Sequence, residues 1–201
     1  MDLSKIGSLV IKDVLWNVKD SNAVYLTFDD GPSGYLTYWI LDTLAQFNAK
    51  ATFFCLGKQV ESYPEVIDAI LNEGHALGNH TYSHKNGWMH SNAAYLTDVE
   101  KAQQLISTNL FRPPYGKLKP RQYNRLKADY TVVMWDVLSG DFDPKCSPER
   151  VWRRVHKKLQ PGSIVVFHDT EQAEQNMKYA LVRLLKHYSK QGVEFCSIPG
   201  A

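Results

Sequence analysis

Short apolar runs rich in β-branched and aromatic residues alternate with amphipathic stretches along nearly the whole chain, and this alternation constrains the fold most tightly. Residues 24–28, 51–56, 130–134 and 163–167 are such runs, each bounded by turn residues. That is the pattern of strands covered on both faces. Residues 76–78 and 110–112 read as weaker strands, and residues 193–196 as the last one. Between them lie helical patterns. Residues 37–47 open on Thr37 as a cap and place Ile40, Leu41 and Leu44 on one face. Residues 64–72 start with Pro64 and stop near Gly74, and residues 93–107, 120–127, 148–159 and 172–188 complete the set. Strand and helix in turn predict an α/β fold with a parallel sheet, open or closed into a barrel. Functional residues are then expected at the C-terminal ends of the strands.

The unusual polar residues fall where that fold would gather them. Asp29-Asp30-Gly31-Pro32 closes the first clear strand, Arg112-Pro113-Pro114-Tyr115-Gly116 follows another, Asp136 and Asp141 a third, and His168-Asp169 a fourth. His80-Thr81-Tyr82-Ser83-His84 comes just after Leu77-Gly78. His80 and His84 are four residues apart, so a helical turn would set both imidazoles on one side, where they can grip one ion. A carboxylate from Asp29 or Asp30 would be the third ligand. Three N/O ligands with a position left open describe a catalytic metal site. The carboxylate left over can take a proton from water beside the ion. An Asp-Gly-Pro sequence is also a good turn, and both roles are compatible. His168, at the mouth of such a site, is a candidate general acid, with Asp141 or Asp136 to fix its tautomer. Arg112 can pair with a carboxylate and keep it ionised.

These segments resemble, in order, the motifs of the polysaccharide deacetylase family, the carbohydrate esterases that share the NodB homology domain. Residues 27–32 resemble the first motif, residues 80–84 the second and residues 112–116 the third. Asp141 is the key position of the fourth, and Val166-Phe167-His168-Asp169 is similar to the fifth. The resemblance implies a distorted (β/α) barrel and a divalent ion, zinc foremost with cobalt, nickel or manganese as alternatives, held by Asp30, His80 and His84. It implies Asp29 as base, His168 as acid, Arg112 orienting Asp29, Asp141 tuning His168, and the Tyr115 N–H supporting the oxyanion. The expected reaction removes N-acetyl groups from an amino-sugar polymer such as peptidoglycan or chitin. This chain departs from the pattern at Phe142 and Leu138 and has Val166 in place of leucine in the fifth motif, which bears on the acyl pocket. Trp88 and Met89 follow the second motif and lie close enough to line a sugar groove, although packing explains a tryptophan there equally well.

The same residues are compatible with other classes. O-acetyl ester or other amide hydrolysis would use the same fold. A non-catalytic sugar-binding module is disfavoured because no ligand, base or acid is missing, and a non-haem iron oxygenase is disfavoured by the His168/Asp141 pair. A net charge of +2, from 23 basic and 21 acidic residues, gives no electrostatic reason to expect a nucleic-acid or membrane partner; the expected partner is carbohydrate. Cys55, Cys146 and Cys196 are three in number without CxxC spacing, so neither a disulfide framework nor a zinc ribbon is expected. Neither a secretory leader nor a membrane span is evident, so the chain as given reads as cytoplasmic, whereas the resemblance implies relatives that often act at the cell envelope, and localisation stays open. No linker or repeat divides it, which predicts one domain over residues 1–201 with its core at about 22–198. Oligomeric state is not legible.

Overall fold

The computed structural model of the protein describes residues 14–19 and 21–200, so the reading of the first residues as lacking a leader falls almost wholly outside the described residues. Seven strands form one parallel sheet: β1 (Tyr25–Asp29), β2 (Ala51–Cys55), β3 (Ala76–Asn79), β4 (Leu110–Phe111), β5 (Thr131–Val132), β6 (Val137–Leu138) and β7 (Ile164–His168). Their order is β5-β4-β3-β2-β1-β7-β6, a barrel left open between β5 and β6. The helices are α1 (Tyr35–Ala45), α2 (Gly57–Ser62), α3 (Pro64–Asn72), α4 (Asn92–Gln103), α5 (Pro120–Leu126), α6 (Pro148–Lys158) and α7 (Glu174–Ser189). The distorted (β/α) barrel expected from the sequence is the fold observed. Among the described residues no helix is long and apolar enough to cross a membrane.

The period-two alternation of the strands divides their side chains between two environments. Leu26, Phe28, Phe53, Cys55, Leu77, Val165 and Phe167 face the helices and join the principal core. Phe28 lies between Phe53 and Phe167, with ring centroids 5.2 and 6.0 Å away. Burying each such ring is worth about 1.5–3 kcal/mol. The intervening residues, among them Thr27, Asp29, Val166 and His168, belong to the opposite face, and register sets Asp29 beside His168. Carrying this alternation one residue past the apolar run therefore delivers catalytic-type side chains to the rim.

Several sequence expectations are corrected. Residues 193–196 form no strand; Phe195 makes only an isolated bridge to Val24. Thr37 is not a cap, because α1 begins at Tyr35 after Gly34. Its buried hydroxyl instead accepts the Ser33 N–H at 2.8 Å and donates to Asp169 at 2.6 Å. Serine caps form at Ser91 before α4 and Ser147 before α6, each accepting an N–H three residues on, worth about 1 kcal/mol apiece. Strand β6 and helix α2 were not anticipated: two residues and six residues are too short to show a period.

Candidate active site

Asp29 is the last residue of β1, and its carboxylate is almost wholly buried. Arg112, just beyond β4 and fully buried, donates from Nη1 to Asp29 Oδ1 at 2.6 Å and to Thr27 Oγ1 at 2.7 Å. Its Nη2 donates to the Met134 carbonyl at 2.9 Å, and its guanidinium lies 4.0 Å from the centre of the Phe54 ring. Burial lowers the guanidinium's affinity for its proton, and the Asp29 charge and hydrogen bond restore part of it. Burying an ion pair is tolerable when further hydrogen bonds support it, as those from Arg112 to Thr27, Met134 and, more weakly, the Val133 carbonyl do here. Phe54 can lie beneath Arg112 because its neighbour across the sheet is Gly78, where a Cβ would fall 2.3 Å from the ring.

His168 closes β7 and donates through Nδ1 to Asp141 Oδ1 at 2.8 Å. The other carboxylate oxygen of Asp141 accepts the His168 backbone N–H at 2.8 Å, so one aspartate fixes both the ring and its main chain. Burial pushes the imidazole down, but the Asp141 charge and hydrogen bond, with Asp29 and Asp30 farther off, outweigh it and raise His168 to about 9. Asp136, the other partner considered, sits at the opposite end of β7, accepting from Ser163 Oγ and the Ile164 N–H. Phe142 packs its ring edge-on to His168 at 4.8 Å and is 40% exposed, so it stands at the rim of the cluster. Val166 is buried one step below on the same strand face.

The third cluster joins Asp30, His80 and His84, whose ligand atoms all lie within 4.8 Å of one another. Asp30 Oδ1 stands 3.4 Å from His80 Nε2 and 3.1 Å from His84 Nε2. His80 Nδ1 donates to the Arg112 carbonyl at 2.7 Å, and His84 Nδ1 bonds the Tyr115 hydroxyl at 3.1 Å. Both rings are therefore held by one nitrogen and offer the other. Burial pushes the Asp30 carboxyl up, but the two imidazoles outweigh it and hold it well below the usual carboxylate range.

The helical turn expected over residues 80–84 is not formed. The segment bends through left-handed residues, with φ of 65° at Thr81 and 58° at His84, while Asp30 has φ of 76° and Tyr115 of 60°. Left-handed backbone is costly for residues with a Cβ and tends to collect at functional sites. Sequence reasoning missed the residue that fastens this bend. Asp98, on α4, accepts from the Tyr82 and Ser83 N–H groups at 3.1 and 2.9 Å, from Ser83 Oγ at 2.8 Å, and from Lys85 Nζ at 2.5 Å. A signal existed: Asp98 shares the buried stripe of α4 with Tyr95, Val99 and Ala102. It also left Asp169 without a role. This buried carboxylate accepts from Ser33 and Thr37 and so ties down the loop that carries Asp30. The fit there is close, since a Cβ on Gly31 would lie 2.3 Å from Asp169 Oδ2.

A parallel β/α barrel with a two-histidine, one-carboxylate cluster at its rim, flanked by a buried Asp–Arg pair and an Asp–His pair, has the donor set that a hydrolytic metal site would use. The comparisons give the family. Residues 17–133 match the model of the family described as polysaccharide deacetylase, and the chain belongs to that family. Asp141 and His168 lie beyond that match but inside longer alignments. A peptidoglycan-N-acetylglucosamine deacetylase of Bacillus cereus is 34% identical over 184 residues, covering 88% of this chain and 66% of that protein. The peptidoglycan-N-acetylmuramic acid deacetylase PdaC of Bacillus subtilis is 30% identical over 89% of this chain, but the match spans only 38% of PdaC. Among solved structures, the Bc1960 peptidoglycan N-acetylglucosamine deacetylase superposes with a TM-score of 0.85 at 32% identity, covering 96% of this chain and 94% of that one.

Proposed function

We propose that this chain is a metal-dependent deacetylase that hydrolyses N-acetyl groups on the amino sugars of peptidoglycan, releasing acetate and leaving a free amine. One observation carries the reading: Asp30 Oδ1 is buried without a hydrogen-bond donor and points at two imidazole nitrogens, between a carboxylate held by arginine and an imidazole held by aspartate. An orphaned buried oxygen beside two nitrogen lone pairs is a donor set in want of a cation. Asp30, His80 and His84 would hold a divalent ion, and two nitrogens with one oxygen suit zinc, with cobalt, nickel and manganese as alternatives. Such an ion polarises a carbonyl and lowers the pKa of nearby water.

The remaining steps belong to side chains of this protein. Asp29 accepts the proton of the attacking water, and its ion pair with Arg112 keeps it ionised and aimed. The N–H of Tyr115, on a left-handed turn beside His84, supports the oxyanion, a contribution of about 3–4 kcal/mol for one well-placed donor. His168, charged at neutral pH and oriented by Asp141, protonates the departing nitrogen. Phe142 and Val166 would border the acetyl methyl. The unbroken run of contacts from β1 to α7 supports treating residues 22–198 as one catalytic domain. A peptidoglycan substrate places its work at the cell envelope.

The test is acetate release from peptidoglycan fragments, chitin oligosaccharides, acetylated xylan and small amides by protein stripped with chelator and reloaded with each metal in turn. Release from peptidoglycan that depends on added metal is the expected outcome. Preference for the xylan esters would replace the reading with O-deacetylation, and sugar binding without release under any metal would reduce the chain to a binding module.

A further inference from the structure

Beside the triad, an exposed ledge runs from Tyr115 through Lys117 to Trp88. Tyr115 is 60% and Trp88 61% exposed, large apolar areas to leave in water. The Tyr115 ring sits 4.6 Å from the His84 ring, which fixes the near end of the ledge at the reaction centre. Lys117 Nζ lies between the two aromatics, 5.4 Å from the Trp88 ring and 6.0 Å from that of Tyr115. Lys117 is half-buried as a residue and, among the described residues, its ammonium forms no salt bridge.

The turn that carries Trp88 is firmly fixed. The Gly87 carbonyl accepts Gln122 Nε2 at 3.0 Å, the His90 carbonyl accepts Lys119 Nζ at 2.6 Å, and Trp88 Nε1 donates weakly to the Leu118 carbonyl at 3.4 Å. Gly87 is needed for this approach, because a Cβ there would lie 2.4 Å from the Lys117 carbonyl. An exposed indole on a pinned turn is pre-organised, so little ordering entropy is lost when something lies on it. Flat aromatic faces suit the C–H faces of sugar rings, and an unpaired cation between them suits an anion on the same ligand.

We propose that Tyr115, Lys117 and Trp88 bind the glycan strand next to the reacting sugar, and that Lys117 selects strands that carry carboxylates. The occupant is thus peptidoglycan with free lactyl or peptide carboxylates, in preference to neutral chitin of equal length. This rests on the deacetylase reading above, and charge complementarity decides the occupant. Binding is measured by calorimetry on zinc-loaded protein carrying Asp29→Asn, so that turnover does not consume the ligand. The probes are a tetrasaccharide of alternating N-acetylglucosamine and N-acetylmuramic acid and the neutral N-acetylglucosamine tetrasaccharide.

The charged strand is expected to bind about five- to tenfold tighter at low salt, a preference that shrinks as salt screens the cation. Lys117→Gln should abolish the preference, whereas removing a remote exposed charge with Lys190→Gln should keep it. Trp88→Ala should weaken both strands together. The proposal is overturned if the parent shows no preference, if Lys117→Gln retains it, if Lys190→Gln removes it equally, or if Trp88→Ala leaves both affinities unchanged. Failure of the deacetylase reading looks different: wild-type protein releases no acetate with any metal, while the ratio of the two affinities still reports on the ledge.

Discussion

The two sides of the site are built on opposite terms. On one side the Arg112–Asp29 and Asp141–His168 pairs are joined within the protein by hydrogen bonds of 2.6–2.9 Å. On the other, Asp30 Oδ1 has no donor, and the bend that brings His84 to it passes through two left-handed residues. The first side contributes to folding whatever its part in the proposed chemistry. The second is left incomplete within the protein, as the proposed cation site would require, and mutations should separate the two.

The largest effect is expected for Asp29→Asn, which should reduce turnover by roughly 10²–10⁴ while metal content, read by elemental analysis, stays at the wild-type level. Undiminished turnover would remove Asp29 as the base. Next in size is a stability contrast measured by urea unfolding in chelator. Arg112→Met leaves the Asp29 carboxylate buried and unpaired and should cost about 3–5 kcal/mol. Asp30→Asn should cost less than Arg112→Met, because Asp30 is part-exposed and the imidazoles beside it can shed their protons when its charge is removed. Equal losses would collapse the distinction between the two sides. Tyr115→Phe deletes the hydroxyl that holds His84 and should weaken zinc binding by about 10–100-fold, as measured by competition with a chelating dye.

The smallest effect is the most specific. Asp141→Asn should lower the His168 pKa by a unit or more, followed by NMR of the ring protons in metal-free protein. In the parent, the raised value means that the folded chain favours the charged ring. Its stabilisation is complete below the unfolded pKa of roughly 6.5 and is lost as pH rises through about 9. The alkaline limb of the rate profile should move down with the pKa in the variant. An unmoved limb would assign that limb to another group.

The sequence made the strands that carry the site legible because each is a run of apolar residues ending in a charged one: Phe28 then Asp29, Phe167 then His168. It made the order of the motifs legible for the same reason. What it concealed was how His80 and His84 meet. Their four-residue spacing suggested a helical turn, but the local conformation is fixed by Asp98, fourteen residues past His84 on another element. No local pattern reports a contact of that kind. The failed strand at residues 193–196 has a related cause, since β-branched and aromatic residues there pack against the barrel without a ladder to join. By position alone Asp136 and Asp141 are alternatives and only the motif resemblance singles out Asp141; in the fold the length of β7 separates them.

The close fit of Gly31 against Asp169 bears on how such a site can drift over generations. Any side chain at Gly31 collides with a carboxylate that also holds Ser33 and Thr37. Shortening Asp169 makes room but abandons both hydroxyls and frees the loop beneath Asp30. Neither position has a harmless first step, so the effects of changing the two are coupled and should not add.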